Sequence, residues 1–167
     1  QKLITKTKVE GDGEWGLDHG AWSILKFLYP EANIPVYQLS IDYTQPASYH
    51  FELAKELSEL RKKGVLIIGS GNIVHNLGNI DWNTNAKPFD WAVEFDDIVK
   101  SRMVSGDITS LASYEKLGKT ASLAVPTNDH YLPMLYTLAL KKESEDLKFT
   151  FEGFQNGSVS MRCFRIG

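Results

Sequence analysis

The sequence has few of the features that mark secreted, membrane or nucleic-acid-binding proteins. Its 167 residues hold one cysteine, Cys163, which excludes an internal disulfide and, with no signal-peptide pattern, indicates a reducing compartment. Its apolar runs are far shorter than the ~20 residues that cross a bilayer. The formal charge of -3 leaves no basic excess for nucleic acid or an anionic membrane. We therefore expect a cytoplasmic protein with neither partner.

The composition is that of a globular protein. An apolar content of 43% with mixed charges predicts a single α/β domain over residues 1–167. The sequence begins at Gln1, and residues 3–9 (LITKTKV) already have the pattern of a strand inside a domain. We therefore expect a fragment of a larger domain.

Apolar patterning predicts alternating strands and helices. Residues 34–41 (IPVYQLSI) and 65–69 (VLIIG) are typical of strands, and the second resembles a parallel strand that is covered on both faces. Between them, residues 46–63 have the apolar spacing of one helix, which Gly64 ends. A strand, helix and strand in this order predict a mixed, largely parallel sheet covered by helices on both faces.

Four more helices and two strands are predicted along the rest of the chain. The helices begin after Asp18, at Pro88, at Ile108 and at about Asp129 or His130, where Pro133 falls in the first turn. The strands, 148–151 and 158–166, flank an Asn156-Gly157 turn. Alternation along the last strand predicts that Cys163 is buried.

Three of the four histidines lie beside Gly, Asn or Asp where a loop meets a regular element. His75 follows the predicted strand 65–69, at the end of a parallel strand where ligands usually bind. His130 stands behind Asp129, a residue able to cap the helix or hold the second imidazole nitrogen. His19, between Asp18 and Gly20, suits an acid or base. Position alone leaves a site role and an ordinary structural role open for each, whereas His50 is expected to be a surface or packing residue.

Four ordered segments carry a resemblance to a known family. They are residues 15–22 (WGLDHGAW), 34–42 (IPVYQLSID), 69–77 (GSGNIVHNL) and 129–133 (DHYLP). Together they resemble the class III extradiol ring-cleavage dioxygenases of the DOPA 4,5-dioxygenase type, with this chain as the C-terminal part. The likeness runs from Trp15 to about Leu135.

The resemblance implies one Fe(II) or Zn(II) per active site, held mainly by histidines. Carried over by motif, His75 and His130 are the implied metal ligands, and His19 and His75 the implied catalytic acid–base groups. An alternative makes His75 the general base instead of a ligand. Residues expected to support these groups or to contact substrate are Asp18, Asn72, Asp129 and Tyr131.

The chain departs from the family in what it lacks. The family's other ligands come from an N-terminal portion with a His-Gly-x-Pro-like motif, which is absent from this sequence. Because catalytic metal sites have about three protein ligands, we expect the missing segment to be needed to complete the site. The His-Pro-rich loop of the plant enzymes is replaced by residues 82–88 (WNTNAKP), which favours a bacterial-like member.

The predicted function is extradiol opening of a small aromatic diol such as DOPA, with O2 as co-substrate. One alternative is a non-enzymatic interaction protein on the same scaffold. Another is a zinc hydrolase, in which Asp129 or Glu94 would activate water.

Overall fold

The computed structural model describes residues 3–167, which form seven α-helices and four β-strands. The helices are α1 (His19–Leu28), α2 (Ala47–Lys55), α3 (Ser58–Lys62), α4 (Asp90–Ser105), α5 (Ile108–Leu111), α6 (Ala121–Ala124) and α7 (Leu132–Leu138). The strands are β1 (Leu147–Phe151), β2 (Phe154–Gln155), β3 (Val159–Ser160) and β4 (Cys163–Ile166). Short 3-10 turns occupy Leu77–Asn79 and Tyr114–Lys116.

The main core lies around α4 and α7. Phe95 and Val99 of α4 and Leu132 and Leu135 of α7 are completely buried in one apolar cluster. Tyr131, just before α7, is also completely buried, and its ring centroid lies 6.3 Å from that of Phe95. These contacts fix the start of α7, and with it the position of the neighbouring His130.

The sheets are small and antiparallel, so the prediction of a largely parallel sheet is not confirmed. β1 pairs with β4, and β2 pairs with β3 across the predicted Asn156-Gly157 turn. The predicted strands 34–41 and 65–69, and the strand-like run 3–9, belong to no sheet within the described part of the chain. Since a strand is stabilised by hydrogen bonds to a neighbour, an apolar run without a partner strand does not form one.

Several predicted helices are present, with shifted boundaries. α1 starts where expected because Asp18 caps it, its Oδ1 accepting from the Ala21 amide at 2.8 Å. The single helix predicted over 46–63 is divided into α2 and α3. α7 begins at Leu132, later than predicted, and Pro133 lies within its first turn. Cys163 is exposed, so its predicted burial is wrong: the side chains of β4 do alternate, but Phe164 and Ile166 face the core and Cys163 faces solvent.

A large share of the apolar side chains in the first half of the chain is exposed. α1 has no buried residue, and Phe27 on it is 81% exposed. Tyr37 in the run 34–41 is 94% exposed, and Leu66 in the run 65–69 is 65% exposed. We call α1 and these two runs the exposed apolar segments. None of the helices in residues 3–167 has the length and apolar character required to cross a lipid bilayer.

A buried ion pair joins α4 to the end of the chain. The Arg162 Nε donates to both Asp96 carboxylate oxygens, at 3.2 and 3.0 Å, and the Ser160 hydroxyl donates to Oδ1 at 2.7 Å. The side chains of Asp96 and Arg162 are 3% and 5% exposed. Sequence patterning gave no sign of this pair, because its members lie 66 residues apart.

His50 is a buried packing residue of α2. Its Nε2–H donates to the Asp42 carbonyl at 3.0 Å, so that Nδ1 accepts from the Tyr136 hydroxyl at 2.9 Å. Burial lowers the pKa of His50, and the nearby Asp42 offsets this only in part. The folded protein therefore favours the neutral imidazole.

The lowered pKa of His50 predicts that the protein loses stability in acid. The unfolded chain binds a proton near pH 6.5, whereas folded His50 binds it only at lower pH. The contribution of neutral His50 to the free energy of unfolding is therefore present above about pH 6.5 and is lost as the pH falls through the folded-state pKa. In urea titrations from neutral to acidic pH, we expect the free energy of unfolding to fall less steeply for His50→Gln than for the wild type. Equal slopes would contradict the prediction.

Candidate active site

Two glycines let the loop after residue 69 lie directly against the start of α7. The Asn72 amide donates to the His130 carbonyl at 2.9 Å. A Cβ on Gly71 would lie 2.1 Å from that same carbonyl oxygen, and one on Gly69 would lie 2.4 Å from the Pro133 oxygen. Only glycine permits this approach, which brings the loop carrying His75 against the segment carrying His130.

We expect Gly71→Ala to destabilise the protein and to displace His130. The methyl group has to push the backbone of one segment away from the other, at a cost of about 1–3 kcal/mol. Urea unfolding measures the loss of stability, and the His130 imidazole NMR signals report its displacement. Gly16→Ala is the matched control, because nothing lies within 4 Å of its added Cβ. Equal stability of the two variants would contradict the expected clash.

The imidazoles of His75 and His130 are stacked on each other. Their ring centroids are 3.6 Å apart and their planes differ by 10°. Burial lowers the pKa of both rings. The nearby His130 further lowers the pKa of His75, and the nearby His19 further lowers the pKa of His130. Asp129 opposes this effect on both. Both rings are therefore neutral near pH 7, as a metal ligand or a general base must be.

A carboxylate lies next to the pair. The Asp129 Oδ2 is 3.6 Å from the His130 Nε2. Burial would raise the pKa of Asp129, but a hydrogen bond involving Thr127 and the nearby histidines outweigh it and lower that pKa. Asp129 is thus ionised at neutral pH and faces the same side of His130 as its Nε2.

A cleft of about 600 Å³ opens beside Asp129. Its wall is formed by Tyr43, Tyr114, Pro126, Thr127, Asn128 and Asp129. Apart from Asp129, none of these residues was predicted from the sequence to belong to the site. The available signals were the position of Tyr43 right after the motif 34–42 and that of Thr127 and Asn128 right before Asp129.

The other residues predicted for the site, Asp18, His19 and Tyr131, lie outside the cleft. Asp18 caps α1, and its amide donates to the Gln38 side chain at 2.9 Å. His19 is exposed on the first turn of α1. This turn lies near the loop that carries His75, because a Cβ on Gly20 would be 3.4 Å from the Ser70 Oγ. Tyr131 lies in the core, where its hydroxyl donates to the Leu111 carbonyl at 3.2 Å, and it does not line the cleft.

These groups fit part of a metal site. The His130 Nε2 and the Asp129 Oδ2 are close enough to bind one ion together. Within residues 3–167, however, no group of three or more His, Cys, Asp or Glu side chains is arranged to hold a metal. A catalytic metal with about three protein ligands would need a further donor from elsewhere.

A neutral histidine pair, a carboxylate and an aromatic-lined cleft are the groups of an enzyme that uses acid–base or metal-assisted chemistry. Comparison with known proteins identifies the family. Residues 3–161 match the family described as the catalytic LigB subunit of aromatic ring-opening dioxygenase, and the chain belongs to this family.

Several relatives have the same name, 4,5-DOPA dioxygenase extradiol. The Escherichia coli K12 protein is 39% identical over 99% of this chain, and the Beta vulgaris protein 32% identical over 95%. The chain covers 62% of the first relative's length and 59% of the second's. It also superposes on the crystal structure of an uncharacterized Escherichia coli K12 protein with a TM-score of 0.91 at 38% identity, over 99% of this chain and 69% of that one.

Proposed function

We propose that this chain carries part of the active site of an extradiol dioxygenase, which opens a catechol-type ring such as that of DOPA with O2. The observation that carries the proposal is the stacked His75–His130 pair beside Asp129 and the cleft, in a chain of the ring-opening dioxygenase family. The names of its relatives support DOPA-like diols as the substrate class.

The stacking favours different roles for the two histidines. An ion bound to an imidazole nitrogen lies in the plane of that ring, about 2.0–2.1 Å from the nitrogen. The planes of His75 and His130 are nearly parallel and their centroids are 3.6 Å apart, so a single ion has no position close to both planes. This geometry supports one ligand and one base rather than two ligands.

His130 is the better candidate for the ligand. Its Nδ1 is held by the Asn72 side chain at 3.1 Å, as is typical of metal-bound histidines, and its Nε2 faces Asp129. A divalent iron or zinc ion bound there would act as a Lewis acid toward the diol oxygens. Asp129 would add negative charge and stands where the cleft meets the histidine pair.

His75 is the better candidate for the base. No hydrogen bond of its ring to another described residue holds it in a ligating geometry, and its lowered pKa keeps the imidazole neutral and able to accept a proton. Of His75, His130 and Asp129, only Asp129 lines the cleft, so the proposed role of His75 is to remove a hydroxyl proton from a diol held between the cleft and the histidine pair. His19, on the exposed start of α1, would exchange protons between the site and solvent.

The remaining metal donors would come from polypeptide outside these 167 residues. Two observations support this: the described donors are too few for a complete site, and the exposed apolar segments offer a large uncovered surface. The run 65–69 leads directly into the loop that carries His75, and the run 34–41 leads to Tyr43 in the cleft. A polypeptide packed on these runs would therefore reach the site.

The test is metal content and ring opening in the full-length protein, compared with the 167-residue chain. We expect the full-length protein to bind one iron or zinc per chain and, with Fe(II), DOPA and O2, to form a yellow ring-opened product. The 167-residue chain should bind metal weakly and form no product. A full-length protein without stoichiometric metal or product would refute the proposal.

Neither alternative is favoured over ring opening. Of the two carboxylates named for a zinc hydrolase, Glu94 is exposed on α4 and does not line the cleft, whereas Asp129 does lie beside His130, but the family match supports ring opening rather than hydrolysis. An interaction protein with a degraded site is less consistent with the retained histidine pair and ionised Asp129.

A further inference from the structure

Asn72 contacts His130 through both its backbone and its side chain. The Asn72 amide donates to the His130 carbonyl at 2.9 Å, and the Asn72 Oδ1 lies 3.1 Å from the His130 Nδ1. On its other side, the Asn72 Nδ2 donates to the Ser160 carbonyl at 2.8 Å and lies 3.9 Å from the Met161 sulfur. The asparagine therefore bridges β3 and the site histidine.

The orientation of the Asn72 amide follows from its partner on β3. A backbone carbonyl oxygen only accepts hydrogen bonds, so the group facing Ser160 has to be the NH2 of Asn72. Its oxygen must then face His130, and because that oxygen only accepts, the His130 Nδ1 must carry the hydrogen. A neutral imidazole has one N–H, which leaves the lone pair on Nε2, beside Asp129.

Ser160, which determines the orientation of the Asn72 amide, is itself held in place. Ser160 is 1% exposed, and its amide donates to the Val74 carbonyl at 3.0 Å. Its hydroxyl donates to Asp96, which is held by the buried Arg162. A rotated Asn72 amide would point its oxygen at the Ser160 carbonyl and its NH2 at His130, losing the bond to β3.

We infer that Asn72 is a positioning residue that sets the tautomer of His130, with the proton on Nδ1 and the lone pair of Nε2 directed into the site. Free histidine in water favours the opposite tautomer, with the proton on Nε2. The protein therefore has to impose the state in which Nε2 is available. The tautomer of His130 follows from these hydrogen bonds alone. Only the identity of what Nε2 binds rests on the proposed function.

The test is long-range 15N–1H NMR on metal-free, 15N-histidine-labelled protein, above the ordinary imidazole pKa of about 6.5. We expect a protonated Nδ1 and an unprotonated Nε2 for His130. His50 is the internal control, because its Nε2 donates to Asp42 and it should show the opposite tautomer in every sample. A wild-type His130 with its proton on Nε2 would overturn the inference without any variant.

Two variants separate tautomer control from a general structural role. Asn72→Asp loses the donor to the Ser160 carbonyl but keeps an acceptor for the His130 Nδ1, and its His130 should retain the hydrogen on Nδ1. Asn72→Leu removes it and should move His130 toward the Nε2–H form, with the His50 signals unchanged. An unaltered His130 tautomer in folded Asn72→Leu would show that Asn72 does not set it.

Zinc affinity of the full-length protein distinguishes this inference from the proposed function. Loss of a hydrogen-bond partner behind a metal-bound histidine lowers metal affinity about 10–100-fold, and we expect this loss for Asn72→Leu and a smaller one for Asn72→Asp. If the tautomer changes and zinc affinity does not, the ligand role proposed for His130 fails while the role of Asn72 stands.

Discussion

We expect His75→Ala in the full-length protein to lower the rate of ring opening about 10²–10⁴-fold, the usual contribution of a general base, and to leave metal binding intact. His130→Ala should lose the metal together with the activity, because it removes the nitrogen that we propose as a ligand. Variants of the two stacked rings should thus have different phenotypes, although the ring centroids are only 3.6 Å apart. Steady-state turnover of DOPA with Fe(II), together with metal analysis of each purified variant, measures both effects.

His50→Gln is the matched histidine control for these variants. His50 bonds to Asp42 and Tyr136, away from the stacked pair and the cleft, so its replacement should leave turnover per folded molecule unchanged. Loss of metal in His75→Ala would assign that histidine as a ligand. A normal rate in His75→Ala would show that it is neither ligand nor base.

The second large effect concerns stability. Asp96→Ala leaves the Arg162 guanidinium buried without its main partner, and we expect the free energy of unfolding to fall by about 3–5 kcal/mol. The Ser160 hydroxyl loses its acceptor in the same variant. Urea unfolding followed by circular dichroism measures the loss.

Two further variants test the origin of this loss. Glu59→Ala removes one member of the exposed Glu59–Lys62 pair and should leave stability nearly unchanged. The double variant Asp96→Leu with Arg162→Met removes both buried charges and should recover much of the stability lost in Asp96→Ala. If Asp96→Ala is as stable as Glu59→Ala, the buried pair does not hold α4 to the end of the chain.

Local signals in the sequence predicted the parts of the structure that depend on neighbouring residues. Asp18 before an apolar helical pattern predicted the start of α1, and Asn156-Gly157 predicted a turn between strands. The histidine motifs also named His75 and His130, which the fold brings into contact. In these cases the signal and the structure lie within a few residues of each other.

The features that were missed depend on residues far apart in the sequence. Apolar patterning predicted strands at 34–41 and 65–69, but strand formation requires a neighbouring strand, and neither run has one within the described residues. The burial of Asp96 depends on Arg162, and that of His50 on Tyr136. The stacking of His75 on His130 depends on the lack of a Cβ at Gly71, which only the close approach of the two segments explains.

The uncovered runs 34–41 and 65–69 also determine how molecules of this chain behave when they are concentrated. Neither run contains a charged residue, so like charges within the runs do not oppose their contact between two copies. Apolar segments with unused backbone donors and acceptors are templates for intermolecular β-pairing. Pro35 interrupts such pairing in the first run, whereas 65–69 has no proline, so we expect intermolecular pairing to begin there.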